Sequence, residues 1–447
     1  STTMTYVPET PQLKKLQDTL TEQPSFCNGI LELPSDQLEL YYGRDSPRYV
    51  DFAKSALQPD AVAQLAAACQ PAMFGRGDET VLDETYRKAG KMDAHDFVMR
   101  FNVEETGLMR AIHAHLLRRE REGRNSIRAE LYKLNVYSEG QFFKAHTDTP
   151  RSQDMFGSLV IVFPTPHEGG TLILREDDKE WAFDSATLLA GRNDAIAYVA
   201  FFSDVEHEVA PVLSGHRVTV TYNLFYAPAV PSPHEPAGLT ARAPGCVAVD
   251  AISAALIALL DDPAFMAQGG TLGFGLRHKY PLPKTWSAGD PDPLGSLAGW
   301  LKGADYALFR AAETVGLTPR LRLLVYTIEW SGYRGQTVVL SRMPDLDGWM
   351  EDEPLSSQLE GTILRTMKFG KEAMDDGSDG EDEDEAHVKG PEIAVHFVTE
   401  AFGRTKMRAP HATYGNEASV EYTYASVCLL VTVGEPGMRG AIGEVAI

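Results

Sequence analysis

Three residues in this chain have the types and spacing to bind a metal. In the run YKLNVYSEGQFFKAHTD, His146 and Asp148 stand two positions apart. On an extended strand that spacing turns both side chains to one face, where an imidazole nitrogen and a carboxylate oxygen can bind one ion. H-x-D recurs by chance, so the pair needs a third ligand. His207, in SDVEHEVAPVLSGHRVTVTYNL, stands at the start of a strand-like run and supplies it. Two imidazoles and one carboxylate leave three adjacent coordination positions open, the donor set of non-haem Fe(II). 2-Oxoglutarate would fill two of these through its keto and C1 carboxylate oxygens, leaving the last for O2. Its distal carboxylate then needs a fixed cation. Arg217, ten positions beyond His207, offers paired donors matched to a carboxylate, and Thr219 on the same strand face can add a hydroxyl.

These motifs resemble the catalytic domain of the Fe(II)/2-oxoglutarate-dependent oxygenase superfamily, in its prolyl-4-hydroxylase-like branch. The residues that carry the resemblance are Tyr137, Gly140, His146 and Asp148, then Gly169, Gly170, Thr171 and Leu172, then His207, Val209, Pro211, Val212, Gly215 and Arg217. The match runs over about residues 127 to 225. It implies a double-stranded β-helix, a jelly roll of the cupin-like kind. It implies Fe(II) on His146, Asp148 and His207, with 2-oxoglutarate on Arg217 and Tyr137 and with O2 as co-substrate. Gly169 and Gly170 would form the turn that opens a strand beside the metal. Asn135 with Tyr137 also resembles the N-x-Y of AlkB-like demethylases, where both side chains touch 2-oxoglutarate. The ten-residue step from His207 to Arg217 fits the prolyl-hydroxylase branch instead. Lys144 and Arg151 flank the H-x-D and either line the entrance or are solvated loop charges.

The elements that must position these groups follow from periodicity. Residues 1–126 are expected to be a helical support region, with helices over Pro11–Leu20, Ala61–Cys69 and Thr106–Arg121. From Ile127 the pattern becomes that of short strands rich in β-branched and aromatic residues, so 127–227 is the expected oxygenase core. Residues 228–246 hold five prolines and no periodic pattern, which marks a linker. Residues 247–447 mix helical and strand patterns and are expected to be a C-terminal α+β domain or extension. The fold class is therefore α+β, mainly β, with a β core braced by N-terminal helices.

Net charge is −22 over 447 residues. The run 375–385 contributes eight acids and no base, leaving −22 + 8 = −14 for the rest. Such a run is expected to be a disordered loop, and the acidic balance disfavours nucleic acid as a partner. The four cysteines form no C-x-x-C pair. With no secretory leader and no apolar stretch of membrane-spanning length, the expectation is an intracellular protein, cytoplasmic or nuclear, that makes no use of a membrane. Nothing in the sequence fixes an oligomeric state.

The expected reaction is hydroxylation of a C–H bond coupled to decarboxylation of 2-oxoglutarate to succinate. By the resemblance the substrate is a residue of a protein or peptide. A small-molecule hydroxylase, an AlkB-like nucleic-acid demethylase and a non-catalytic scaffold remain as alternatives, in that order.

Overall fold

The computed structural model describes residues 7–21, 25–76, 79–117, 126–176, 179–227, 239–242, 249–283, 291–326, 337–343, 361–370, 391–401, 414–415 and 422–439. The acidic run 375–385 and most of the Pro-rich segment 228–246 lie outside these residues. The chain is mainly β and forms two compact units, one of residues 24–244 with 412–420, the other of 1–23, 245–411 and 421–447.

In the first unit the run AIAYVAFF becomes the strand Ala195–Phe202, in which every residue is buried. An apolar run without alternation suits a strand covered on both faces. It lies between Phe26–Glu32 and Met155–Val162 in a nine-stranded sheet. That sheet continues from Met155–Val162 through Val212–Ala227 to Ser126–Ser138 and Gly90–Asp93. The 13-residue strand Ser126–Ser138 pairs antiparallel with the 16-residue Val212–Ala227, setting Tyr137 opposite Arg217 and Asn135 opposite Thr219. A second, five-stranded sheet has the order Lys179–Phe183, Leu172–Glu176, Glu206–Val209, Phe142–His146, Arg87–Lys88.

Three expectations need correction here. The stretch 26–99 was expected to be helical support, yet it holds nine strands and one α-helix, Pro59–Ala68. Eight of those strands are only two to four residues long, too short to show a period of two in the sequence. The N-terminal helix Pro11–Thr21, expected to brace the oxygenase core, packs on the helix Val249–Leu260 in the other unit. Within the expected linker, Leu239–Arg242 is a strand paired with Phe26–Glu32.

The second unit contains a closed six-stranded barrel: Gly270–Gly275, Glu392–Thr399, Thr362–Met367, Thr337–Leu340, Arg320–Tyr326 and Val427–Val433. Its apolar core includes the Pro11–Thr21 residues Leu13 and Leu16, together with Ile252, Leu256 and Leu259 of Val249–Leu260. No described helix is long and apolar enough to cross a membrane.

Candidate active site

Ligand-bearing atoms of His146, Asp148 and His207 lie within 4.8 Å of one another, and all three residues are buried. His146 ends the strand Phe142–His146, which pairs with Glu206–Val209 so that His146 faces His207 across the ladder. Asp148 was expected on the same strand as His146. It lies just beyond the strand end instead, with its N–H donating to the Ser203 carbonyl at 3.0 Å.

Each histidine is oriented by its own backbone. His146 Nδ1 is 2.8 Å from the Lys144 carbonyl, and His207 Nδ1 is 3.0 Å from the Val205 carbonyl. A carbonyl can only accept, so each ring carries its proton on Nδ1 and offers Nε2 as a lone-pair donor. Burial, followed by repulsion from His207, holds His146 well below the usual imidazole range, so it stays neutral as a metal ligand must. Ser158 Oγ donates to Asp148 Oδ2, while Asp148 Oδ1 lies 3.7 Å from His207 Nε2. Phe143 stacks on His146 with ring centroids 3.5 Å apart, and Phe201 packs on His207 at 4.7 Å.

These groups line a small pocket that draws side chains from both sheets. From the larger sheet come Tyr137, Asn135, Arg217 and Thr219; from the smaller come Arg87, His146, His207 and Val209. Arg217 is 1% exposed, and its Nε and Nη2 have no hydrogen-bond partner among the described residues. Burial lowers its pKa to about 10, which still leaves it charged at neutral pH. A buried guanidinium with unmet donors costs several kcal/mol unless an anion arrives to pair with it, roughly in the range of 3–5 kcal/mol. Gly170 makes room for this side chain, because a Cβ there would stand 2.7 Å from Arg217 Cδ, and its φ of +67° is glycine's territory. The Tyr137 ring centroid is 5.9 Å from the Arg217 guanidinium carbon.

The structure thus brings all seven expected site residues to one pocket, but it spends two of them partly on protein contacts. Thr219 Oγ1 donates to the Asn135 carbonyl at 3.3 Å, and Asn135 Oδ1 accepts from Arg87 Nη2 at 3.0 Å. Arg87, Tyr132 and Lys133 also line the pocket and escaped the sequence reading. Arg87 lies 59 positions before His146 on a two-residue strand, so no spacing signalled it. Lys133 was the more legible, since it alternates with Asn135 and Tyr137. Of the two flanking cations, Lys144 is exposed, and Arg151 places its guanidinium carbon 4.8 Å from the Tyr132 ring centroid.

Two features fit the donor demands of a metal and a diacid: three converging buried ligands with fixed Nε2 atoms, and an unmet guanidinium in the same pocket. The family comparison agrees. Residues 132–225 match the 2OG-Fe(II) oxygenase superfamily. No curated protein sequence matches the chain. Among solved structures, a Pseudomonas putida prolyl-4-hydroxylase is 19% identical, with 48% of this chain and 100% of that one covered, at a TM-score of 0.30. A Trichoplax adhaerens prolyl hydroxylase, in complex with a hypoxia inducible factor oxygen degradation domain peptide fragment, is 17% identical over 49% of this chain and 94% of that one, at 0.25. An oxidoreductase of the 2OG-Fe(II) oxygenase family from Burkholderia pseudomallei is 14% identical over 51% and 98%, at 0.22. TM-scores this low add nothing to the assignment, which rests on the sequence segment and its motifs. Over residues 132–225 the chain thus matches the 2OG-Fe(II) oxygenase superfamily, and that match implies Fe(II), 2-oxoglutarate and O2.

Proposed function

We propose that the chain hydroxylates a C–H bond, with His146, Asp148 and His207 holding Fe(II) and Arg217 holding the distal carboxylate of 2-oxoglutarate. The observation that carries this is the buried His-Asp-His cluster sharing one pocket with an arginine whose Nε and Nη2 lack partners. When bound, the metal with its co-substrates supplies oxidative decarboxylation to succinate and oxygen insertion into a C–H bond.

The chain's own residues supply orientation and dryness. The Lys144 and Val205 carbonyls hold the imidazoles in their metal-binding tautomer. Ser158 fixes one oxygen of Asp148 and leaves the carboxylate turned toward His207. Val160, Leu172, Phe201 and Val209 give the pocket an apolar wall that excludes water and strengthens the pairing at Arg217. Tyr137, beside Arg217, adds a phenol to the 2-oxoglutarate end. The nine-stranded and five-stranded sheets of this unit are read as the faces of a double-stranded β-helix. The substrate class we favour is a protein or peptide residue, in keeping with the prolyl-4-hydroxylase-like order of the motifs.

The test is anaerobic titration of the apo-protein with Fe(II) and 2-oxoglutarate, following the weak visible charge-transfer band of the complex. The band should appear in the native chain and vanish in His207→Ala. Its absence in well-folded native protein would defeat the assignment.

A further inference from the structure

The pocket holds more positive charge than its metal and 2-oxoglutarate can use. On the proposed function, the two charges of Fe(II) are matched by Asp148 and one carboxylate of 2-oxoglutarate, and the other carboxylate is matched by Arg217. Arg87 and Lys133 line the same pocket and remain unmatched. Arg87 is buried. Its guanidinium carbon lies 4.3 Å from the Phe143 ring centroid, Nη1 donates to the Met73 carbonyl at 2.7 Å, and Nη2 donates to Asn135 Oδ1. Its Nε has no partner, and no carboxylate pairs with it among the described residues. Lys133 Nζ lies 4.3 Å from the Tyr132 ring centroid. The acid opposite Lys133 in register, Asp93, is held by Lys91 at 3.0 Å.

Strand register separates Lys133 from Arg217, while Arg87 reaches Asn135 in the row between them. The pairs Tyr137 with Arg217, Asn135 with Thr219 and Lys133 with Thr221 form three successive rows of the same ladder, and all six residues line the pocket. At ~3.4 Å per residue, the first and third rows are about 14 Å apart along the strands. A five-carbon diacid measures only about 5 Å between its carboxyl carbons, with C–C bonds of ~1.5 Å. A 2-oxoglutarate seated on Arg217 therefore does not extend to the row of Lys133. Tyr132 lines the same pocket as the metal ligands, and its ring centroid lies 4.8 Å from the Arg151 guanidinium carbon.

We propose that Arg87 and Lys133, with the Tyr132 ring beside Lys133 and Arg151, form an oxyanion subsite for the primary substrate, which therefore carries a carboxylate or phosphate group close to the carbon that is oxidised. The inference rests on the proposed function and narrows its substrate class to acids. Burial, then the neighbouring Arg87, brings the Lys133 ammonium down to about 7, as expected of a cation waiting for its counter-charge. The chain as a whole is strongly acidic, so the positive cluster acts only at close range.

The test uses the full chain loaded anaerobically with Mn(II) and 2-oxoglutarate. Calorimetry follows the binding of benzoate and phenyl phosphate against neutral benzamide, and paramagnetic relaxation of the benzoate ring protons reports their distance from the metal. Benzoate or phenyl phosphate should bind at least tenfold more tightly than benzamide and relax strongly. Lys133→Gln and Arg87→Gln should each weaken that binding tenfold or more, while Mn(II) and 2-oxoglutarate affinities stay within about twofold of native. If Arg87→Gln fails to fold, the half-exposed Lys133→Gln alone decides. Equal binding of acid and amide, no binding of either acid, or a loss of 2-oxoglutarate rather than benzoate in the variants would overturn the subsite. Failure of the native chain to bind Mn(II) and 2-oxoglutarate would instead overturn the parent reading. Competition by the peptide acetyl-Gly-Asp-Pro-Gly-amide but not its Asn counterpart would place the anion on a peptide. Competition by the small acids alone would place it on a free metabolite.

Discussion

Two buried charged side chains, Asp305 in the barrel unit and Arg217 in the oxygenase unit, are treated in opposite ways. In the barrel unit the Asp305 carboxylate accepts from the backbone N–H groups of Arg277 and His278 at 2.9 and 3.0 Å and from the Tyr280 hydroxyl at 2.8 Å. Lys302, also buried, donates from Nζ to the Lys279 carbonyl at 3.1 Å. In the oxygenase unit, Arg217 and Arg87 are as deeply buried but keep N–H groups without partners. A folded chain seldom leaves such donors unmet. Arg322 of the barrel unit also keeps its Nε without a partner among the described residues, so what distinguishes the oxygenase unit is that two such arginines share one pocket with the His-Asp-His cluster.

Variants can break this contrast. Asp148→Ala or His207→Ala should abolish metal binding and turnover, a loss of at least about a thousandfold, while the thermal midpoint of the apo-protein falls by only a few degrees. Retained turnover would remove these residues from the metal site. Next in size, Arg217→Met should raise the 2-oxoglutarate requirement by about a hundredfold, from two charged hydrogen bonds of ~1.5 kcal/mol each. Apo-protein stability should hold or rise, because an unpaired buried charge is removed. Asp305→Ala should do the reverse, costing about 3 kcal/mol in denaturant melts by stranding three donors, and leaving the 2-oxoglutarate requirement unchanged. If both substitutions destabilised equally, satisfied and unsatisfied charge would not differ as described.

The response to pH follows from the neutral histidine. His146 has a folded-state pKa below the unfolded value of 6.5, so below pH 6.5 the unfolded chain binds the extra proton. Apo-protein stability should therefore decline as pH falls from about 7 toward 5, and the decline should be shallower in His146→Gln. Urea midpoints across that range measure it. The smallest effect belongs to Thr219→Val, which removes one 3.3 Å hydrogen bond to a backbone carbonyl and should cost about 1 kcal/mol or less. A tenfold change in the 2-oxoglutarate requirement would show instead that its hydroxyl contacts the co-substrate.

The buried His-Asp-His cluster and its pocket neighbour Arg217, proposed here as metal ligands and anchor, were legible in the sequence because their spacing is encoded locally. Two positions along an extended chain bring His146 and Asp148 together, and alternation sets Arg217 and Thr219 on one face of their strand. Long alternating strands such as Val212–Ala227 were legible for the same reason. Tertiary structure alone decided which strands pair, and therefore which distant residues share the pocket. Arg87 reaches it from a two-residue strand through pairing with Phe142 and Phe143. The helix Pro11–Thr21 joins the barrel unit because its apolar face meets Val249–Leu260, more than two hundred residues away. Spacing fixes the face on which a side chain stands, but its neighbours come from long-range pairing, whose free energy is a property of the assembled sheets rather than of any local stretch of chain.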